Sequence, residues 1–286
     1  SAQHRLAKHQ GGAMTQSADR LTSPAKRNGK SALAALASNH YVLTALSAVA
    51  FIALWQIVSM NVSPVILPSP GNVAAAFVEL TASGELIRAT GQTIWPFAIG
   101  LSVAFVIGTS LGLVLGIFRP AARILDPYIF IFWSIPNIAW LPLFIAWFGV
   151  GQLTLIIFVF VSAVFPQLLT VEAGAKEADS FLVEVARSLG GTKSEILHIV
   201  VLPAALPYIF AGLRIAVGRA LVGIIVGQLL IVATGIGYMF QFYGETLSLA
   251  KYFAPLIVIA ALAVALNRAV NWAEHVLIPW KPRAFT

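Results

Sequence analysis

The chain has 286 residues, of which 59% are hydrophobic and 10% charged, with a formal net charge of +7 and no cysteine. Soluble domains hold roughly 45–50% apolar and about 25% charged residues, so this composition excludes a water-soluble globular protein and points to a polytopic membrane protein. Without cysteine there are no disulfides, no thiol catalysis and no thiolate-bound metal. The five histidines (His4, His9, His40, His198, His275) show no metal-ligand spacing, so no metal and no resident cofactor are expected.

A helix crossing ~30 Å of hydrocarbon needs about 20 mostly uncharged residues. Such runs lie near 41–60, 94–117, 125–148, 153–173, 205–232 and 253–276. Each is continuously apolar rather than alternating, which excludes a β-barrel. The expected fold is therefore all-α with six transmembrane helices.

Residues 1–38 are polar, lack periodic apolar positions and are expected to form a mobile tail, with Met14 a candidate natural start and 1–13 an appended remnant. Gly29-Lys30-Ser31 resembles the end of a phosphate-binding loop. Pro24 stands where that loop's first glycine belongs and no apolar strand precedes it, so nucleotide binding by this chain is not expected. Residues 39–280 form the transmembrane domain, and 281–286 a second tail.

In the connection at 61–91, Pro68 and Pro70 stop any helix, and Ser69 and Asn72 suit a turn or cap; AAAFVELTASGELI then reads as a short helix at the outer surface. Gly108, Gly112 and Gly116 recur every four residues in the second span, as do Gly223 and Gly227 in the fifth, placing small residues where another helix backbone can approach. Pro127, Pro136 and Pro142 interrupt the third span's hydrogen bonding and predict a kink, static or part of a moving gate. The segment TGIGYMFQFYGETLSLAKYF, between the fifth and sixth spans, suits short re-entrant or interfacial pieces that could line an outer gate.

Lys and Arg set the orientation. Arg5, Lys8, Arg20, Lys26, Arg27 and Lys30 precede the first span. Arg119 and Arg123 lie in the second connection, Lys176, Arg187 and Lys193 in the fourth, and Arg268, Lys281 and Arg283 at the end. With six crossings these share one side, and only Arg88 and Lys251 lie on the other. Both termini are thus predicted to be cytoplasmic, and the net charge requires no nucleic-acid partner.

The predicted cytoplasmic loop at 174–204 is the sharpest feature. Leu182, Val185, Ala186 and Leu189 recur at helical spacing as one apolar stripe, with Glu184, Arg187 and Ser188 on another face. Gly190 and Gly191 supply a left-handed residue that ends this helix. Thr192 and Glu195 fit a capping box for a second helix, KSEILHIVV, which Pro203 is expected to close.

Glu184, Val185, Ala186, Gly190, Val200, Leu202 and Pro203 fall at the spacing of the EAA motif, and with them the chain resembles the permeases of bacterial ABC importers. From about residue 41 onward the similarity is greatest to the nitrate/sulfonate/taurine group, through LPSP at 67–70, SIPNIAWLPLFIAWFGVG at 134–151, the stretch at 187–218 and GIGYM at 235–239. The resemblance implies a type I importer fold in the inner membrane and a homodimeric pore. It also implies two cytoplasmic ATPase subunits, which bind the ATP and Mg and dock on Glu184, Val185, Ala186, Leu189, Gly190, Val200, Leu202 and Pro203. A periplasmic binding protein would deliver the solute, and the chain itself would hydrolyse nothing.

Polar residues at membrane depth carry the rest. Arg219 lies about fourteen residues into the fifth span, where a lipid-facing cation costs at least ~2.5–3.5 kcal/mol, so it must face protein or water. Two readings stay open: it lines the translocation path with Gln228 and favours an anionic solute, or it pairs with Glu172 or helix-end carbonyls. Arg214, nearer the helix end, is read as snorkelling. Relatives often carry an apolar residue near 219 and a glutamate near 228, so taurine or nitrate specificity does not follow from the resemblance. An ion-coupled secondary transporter is the alternative function class. It requires buried acids, and only Glu172 is expected at depth; a membrane-embedded enzyme would need a nucleophile or metal constellation, and none is visible.

The charge asymmetry is directly testable. Cysteines introduced at Ser31 and Thr286 should resist an impermeant thiol reagent applied to intact spheroplasts; labelling at either position would overturn the predicted orientation.

Overall fold

The computed structural model describes residues 40–279, in which nearly every residue is helical and no strand occurs. The predicted tails at 1–38 and 281–286 lie outside the described residues. The helices are α1 (His40–Met60), α2 (Pro70–Ala82), α3 (Glu85–Ile117), α4 (Arg119–Ser134), α5 (Leu141–Phe148), α6 (Gln152–Lys176), α7 (Ser180–Ser188), α8 (Lys193–Ile196), α9 (Leu202–Leu230), α10 (Gly235–Glu245) and α11 (Leu249–Leu277). Five of the helical segments are long and apolar enough to cross a membrane, and the bent pair α4 and Asn137–Phe148 makes a sixth. The expected all-α, six-span architecture is therefore present.

The chain divides into a unit ending at Val58 and a second from Ser59 onward. In the first, α1 is a single apolar helix in which Phe51 and Trp55 make a tilted ring contact at 6.4 Å.

In the second unit α6 is the central helix, flanked by α3 and α9. In the most apolar stretch of α6, 61% of residues are buried, against 28% for α3 and 33% for the Ser194–Leu230 span. Its neighbours come that close because they are small where they touch it. A methyl group at Gly112 would meet the Leu168 carbonyl at 2.7 Å, and one at Gly116 would meet Ala175 Cβ at 2.3 Å. On the α9 side, Gly223 and Gly227 lie against Ser162 and Leu155 in the same way. The glycine spacings predicted to pack helices do so, and Gly100 and the fully buried Ala104 extend the α3 ridge by two further turns.

Three expectations are corrected, and the kink predicted in the third span is present. The second span begins at Glu85 rather than near 94, because the chain breaks at Gly84 (φ +75°), within the predicted short helix, and Glu85, Leu86 and Ile87 join α3. The third span is two helices bent by 91° at the Ser134–Asn137 break. Proline disfavours helical geometry in the residue before it, and Ile135, ahead of Pro136, is accordingly extended at φ −74°, ψ 126°. Pro127 stays inside α4, and Pro142 occupies the permissive first turn of α5.

Pro203 does not close the second helix of the loop. The turn at Leu197–Val201 widens to π-helical geometry, which shifts the hydrogen-bond register ahead of the missing proline N–H, and the helix runs from Ser194 to Leu230. Finally, Arg214 does not snorkel. It is paired with Glu274 of α11, a buried acid that the sequence reading did not place at depth.

Filling one of the close α3–α6 contacts should loosen the bundle. Gly112→Val should destabilise it by about 1–3 kcal/mol, the usual range for overpacking, read as a lower melting temperature of the detergent-purified protein. Gly218→Ala, at a position with no atom within 4 Å of the added methyl, should leave the melting temperature unchanged.

Candidate functional site

Two regions hold the residues singled out in the sequence. The first is the helix–turn–helix at 180–203. Asp179 opens α7 by accepting the Phe181 N–H at 2.8 Å. A Schellman motif closes it: Gly191 N–H donates to the Ala186 carbonyl at 2.9 Å and Gly190 N–H to that of Arg187 at 3.0 Å, with Gly190 left-handed at φ +84°. The predicted capping box is present, since Thr192 N–H donates to Glu195 Oε2 at 2.7 Å and Glu195 N–H to Thr192 Oγ1 at 3.3 Å.

The two faces of α7 are unequal. Val183 and Ala186 pack inward toward a small core of Ala175, Ile196 and Val201. Leu182, Val185 and Leu189 point outward with Phe181, and Leu189 is 83% exposed. Ala186 thus departs from the predicted stripe, while the other three members present an apolar surface that nothing among the described residues covers. Glu184 and Arg187, with Arg119 and Lys176, border a cavity of about 580 Å³ between α7 and the ends of α3 and α6. Val200 and Leu202 are half-buried, and Pro203 sits in the first turn of α9.

The second region surrounds Arg219. Its side chain enters a cavity of about 460 Å³ lined by the break of the third span, Trp133 to Ile138, together with Phe158, Ser162 and the α9 face at Val222, Gly223 and Val226. The guanidinium carbon lies 5.4 Å from the centroid of the Trp133 ring, a cation–π contact. Glu172 is taken by Lys176, at 2.5 Å, and Lys176 also reaches Asp126 at 3.6 Å. The acid proposed as a partner is therefore engaged elsewhere, and none of the ion pairs among the described residues includes Arg219. Non-helical backbone at membrane depth is tolerated where it borders protein or a water-filled cavity, and here the broken backbone and the unpaired cation border the same one.

Gln228 is elsewhere. It is fully buried; its Oε1 accepts from Thr93 Oγ1 at 2.9 Å and from Gly237 N–H at 3.1 Å, and its Nε2 donates to the Gln92 carbonyl at 3.3 Å. Gln92 in turn accepts the Gly235 N–H through Oε1, at 3.1 Å, and Thr93 Oγ1 accepts from Ile236 N–H at 3.0 Å. These bonds fasten the start of α10 to α3 and α9. Trp133 and Asn137 beside Arg219 were missed by sequence reasoning. The bend at Pro136 that brings them there was the only available signal.

The fold and these two regions define a multi-pass helical membrane protein with an exposed apolar helix on a loop and an open cavity bordered by a cation that has no ion-pair partner among the described residues. Residues 104–281 match the family described as binding-protein-dependent transport system inner membrane component, and the chain belongs to that family. It is 32% identical over 232 residues to a protein named as an aliphatic sulfonates transport permease of Bacillus subtilis (strain 168), covering 80% of this chain and 84% of that one. Identity is 29% over 232 residues with the taurine transport system permease protein of Escherichia coli (strain K12), 79% and 84% of the two chains. With the nitrate import permease protein of Synechocystis it is 28% over 263 residues, 88% and 95% of the two chains. Among solved structures, a methionine ABC transporter in inward-facing conformations is similar in fold, with a TM-score of 0.58 at 24% identity over 67% of this chain and 95% of that one.

The two polar residues should behave oppositely on removal. Gln228→Leu leaves the buried Gly237 N–H without its acceptor, at about 1–3 kcal/mol for an unsatisfied group, and should lower the melting temperature. Arg219→Leu should keep or raise it, because it removes an unpaired charge. A destabilised Arg219→Leu beside an unaffected Gln228→Leu would reverse the assignment.

Proposed function

We propose that this chain is the membrane-spanning subunit of an ATP-driven importer that takes a small anionic solute from a periplasmic binding protein and releases it into the cytoplasm by alternating access. Two copies form the pore, and both termini are cytoplasmic. Two ATPase subunits dock on the 180–203 loops and bind the ATP and Mg between them. The observation that carries the reading is Arg219. A cation left without a carboxylate, in a cavity at the broken third span, provides an attractive field for an anion and for nothing of like charge.

The relatives named for sulfonates, taurine and nitrate favour the same class, because all three solutes carry an anionic group. The docking assignment rests on the uncovered Phe181, Leu182, Val185 and Leu189, with Glu184 and Arg187 beside them. The rigid Schellman turn at Gly190 and the continuous helix behind it suit a lever that moves as one body.

Uptake assays on the complete transporter test both halves. Arg219→Gln should reduce solute uptake about tenfold or more, as expected for losing a hydrogen bond to a charged group, while the assembled complex is retained. Glu172→Gln should have little effect on uptake. Gly190→Asp forces a side chain into a left-handed residue at ~1–2 kcal/mol and should uncouple ATP hydrolysis from transport, and Glu184→Lys should weaken retention of the ATPase on purification. Wild-type uptake and ATPase retention in all of these variants would refute the proposal.

A further inference from the structure

The Arg219 cavity is larger, and less polar, than a bare inorganic anion requires. At about 460 Å³ it lies within the range of small-molecule pockets. A four-atom oxyanion takes the room of one or two waters, about 30 Å³ each. Beyond the guanidinium and the Asn137 amide, the wall carries apolar side chains: Trp133, Ile135 and Ile138 on the broken span, and Val222 and Val226 on α9. The polar side chains on the lining are few and partly committed. Ser162 Oγ already donates to the Phe158 carbonyl at 2.7 Å, and Ser134 Oγ to the Phe130 carbonyl at 2.7 Å. A small inorganic anion seated against Arg219 would leave most of that wall facing water, whereas an organic anion would cover it.

Trp133 adds an orienting element. The indole lies 5.4 Å beneath the Arg219 guanidinium and is braced on its own helix bundle by Phe165, at 6.3 Å between ring centroids. A guanidinium over an aromatic ring keeps its edge N–H groups available for two parallel bonds to a carboxylate or sulfonate. Trp133 is on this reading a positioning residue: it holds Arg219 in place before the solute arrives, and the aliphatic wall selects the solute's body.

We propose that the cavity is a specificity site for organic anions with a bulky non-polar body of phenyl size, with Arg219 gripping the anionic head and the Ile138, Val222 and Val226 wall receiving the body. The proposal rests on the reading of Arg219 as part of the path. Direct binding to the complete transporter in lipid nanodiscs, without the binding protein, tests it with three probes: benzenesulfonate, methanesulfonate and nitrate. The first two share a head group, so their ratio reports the body alone.

Benzenesulfonate should bind at least about 10-fold more tightly than methanesulfonate or nitrate, as expected for burial of a phenyl-sized group. Val222→Phe, at an exposed position on α9, should fill the cavity and bring that ratio below about threefold. Trp133→Leu should weaken all three anions alike and Trp133→Phe should restore them. Arg219→Gln should abolish binding of all three. Equal binding of the three anions, lost in Arg219→Gln, would overturn the selectivity and leave the path reading standing. Benzenesulfonate binding unchanged in Arg219→Gln, or no binding of any probe to a monodisperse wild-type complex, would overturn both.

Discussion

Everything else in the bundle depends on how closely α3 and α9 approach α6. Lipid is as apolar as a leucine side chain, so helices in a membrane gain little by hiding apolar surface from one another; what holds them is dispersion between surfaces in close contact, and hydrogen bonds across them. The α3 ridge of Gly100, Ala104, Gly108, Gly112 and Gly116 lets backbone lie against α6 over about four turns, and Gly223 and Gly227 allow a close approach from the other side. Where those surfaces meet, Gln167 of α6 donates to Thr109 Oγ1 on α3, at 2.9 Å, and to the Ile209 carbonyl on α9, at 3.3 Å. The three-helix unit is thereby both close-packed and pinned.

A rigid centre determines where charge can go. Lys176 is held by Glu172 and Asp126, and Arg214 by Glu274, while Lys251 of α11 reaches Glu79 of α2 at 2.7 Å. Breaking such a pair leaves an uncompensated charge and is far more costly than never having had it. Arg219 does not follow this pattern. It projects where α4 and α5 part company, toward space rather than toward a carboxylate, and its one aromatic contact orients it without cancelling its charge. The functional reading rests on the contrast between Lys176 and Arg214, which are held by carboxylates, and Arg219, which is not.

Much of the fold was legible because membrane helices announce themselves through length and apolarity, and because glycine every fourth residue has few other uses. Thr192, Glu195 and Gly190 were legible for a different reason. Caps and left-handed turns are local, and local hydrogen bonds depend on residues three to five apart. What escaped the sequence was non-local or depended on register. Glu274 stood at the end of an apolar run with nothing to say that Arg214, 60 residues away, would meet it. Gln228 and Arg219 looked alike as polar residues in one helix, yet nine positions apart they fall on different faces, one against α3 and α10 and one toward the break. Pro203 looked like a stop because a π turn that absorbs a missing N–H leaves no residue signature of its own.

That π turn has a mechanical consequence. Had Pro203 ended the helix, α7 and the membrane bundle would have been joined by a flexible link, and a force on the loop would have been dissipated there. Instead α8, the widened turn and α9 form one 37-residue helical span. From Leu202 to Arg219 it extends about 26 Å at ~1.5 Å per residue. Its lower end is capped by the Thr192–Glu195 box and packs through Ile196 and Val201 on Val183 and Ala186 of α7, and its upper half carries the Arg219 cavity wall. Under the proposed function, a displacement imposed on the exposed face of α7 is delivered to the cavity by a rod rather than through a chain of side-chain adjustments. The break at Pro136 supplies the opposing, separately hinged wall. One continuous helix facing one broken helix is an arrangement in which a movement of the first changes the width of the cavity between them.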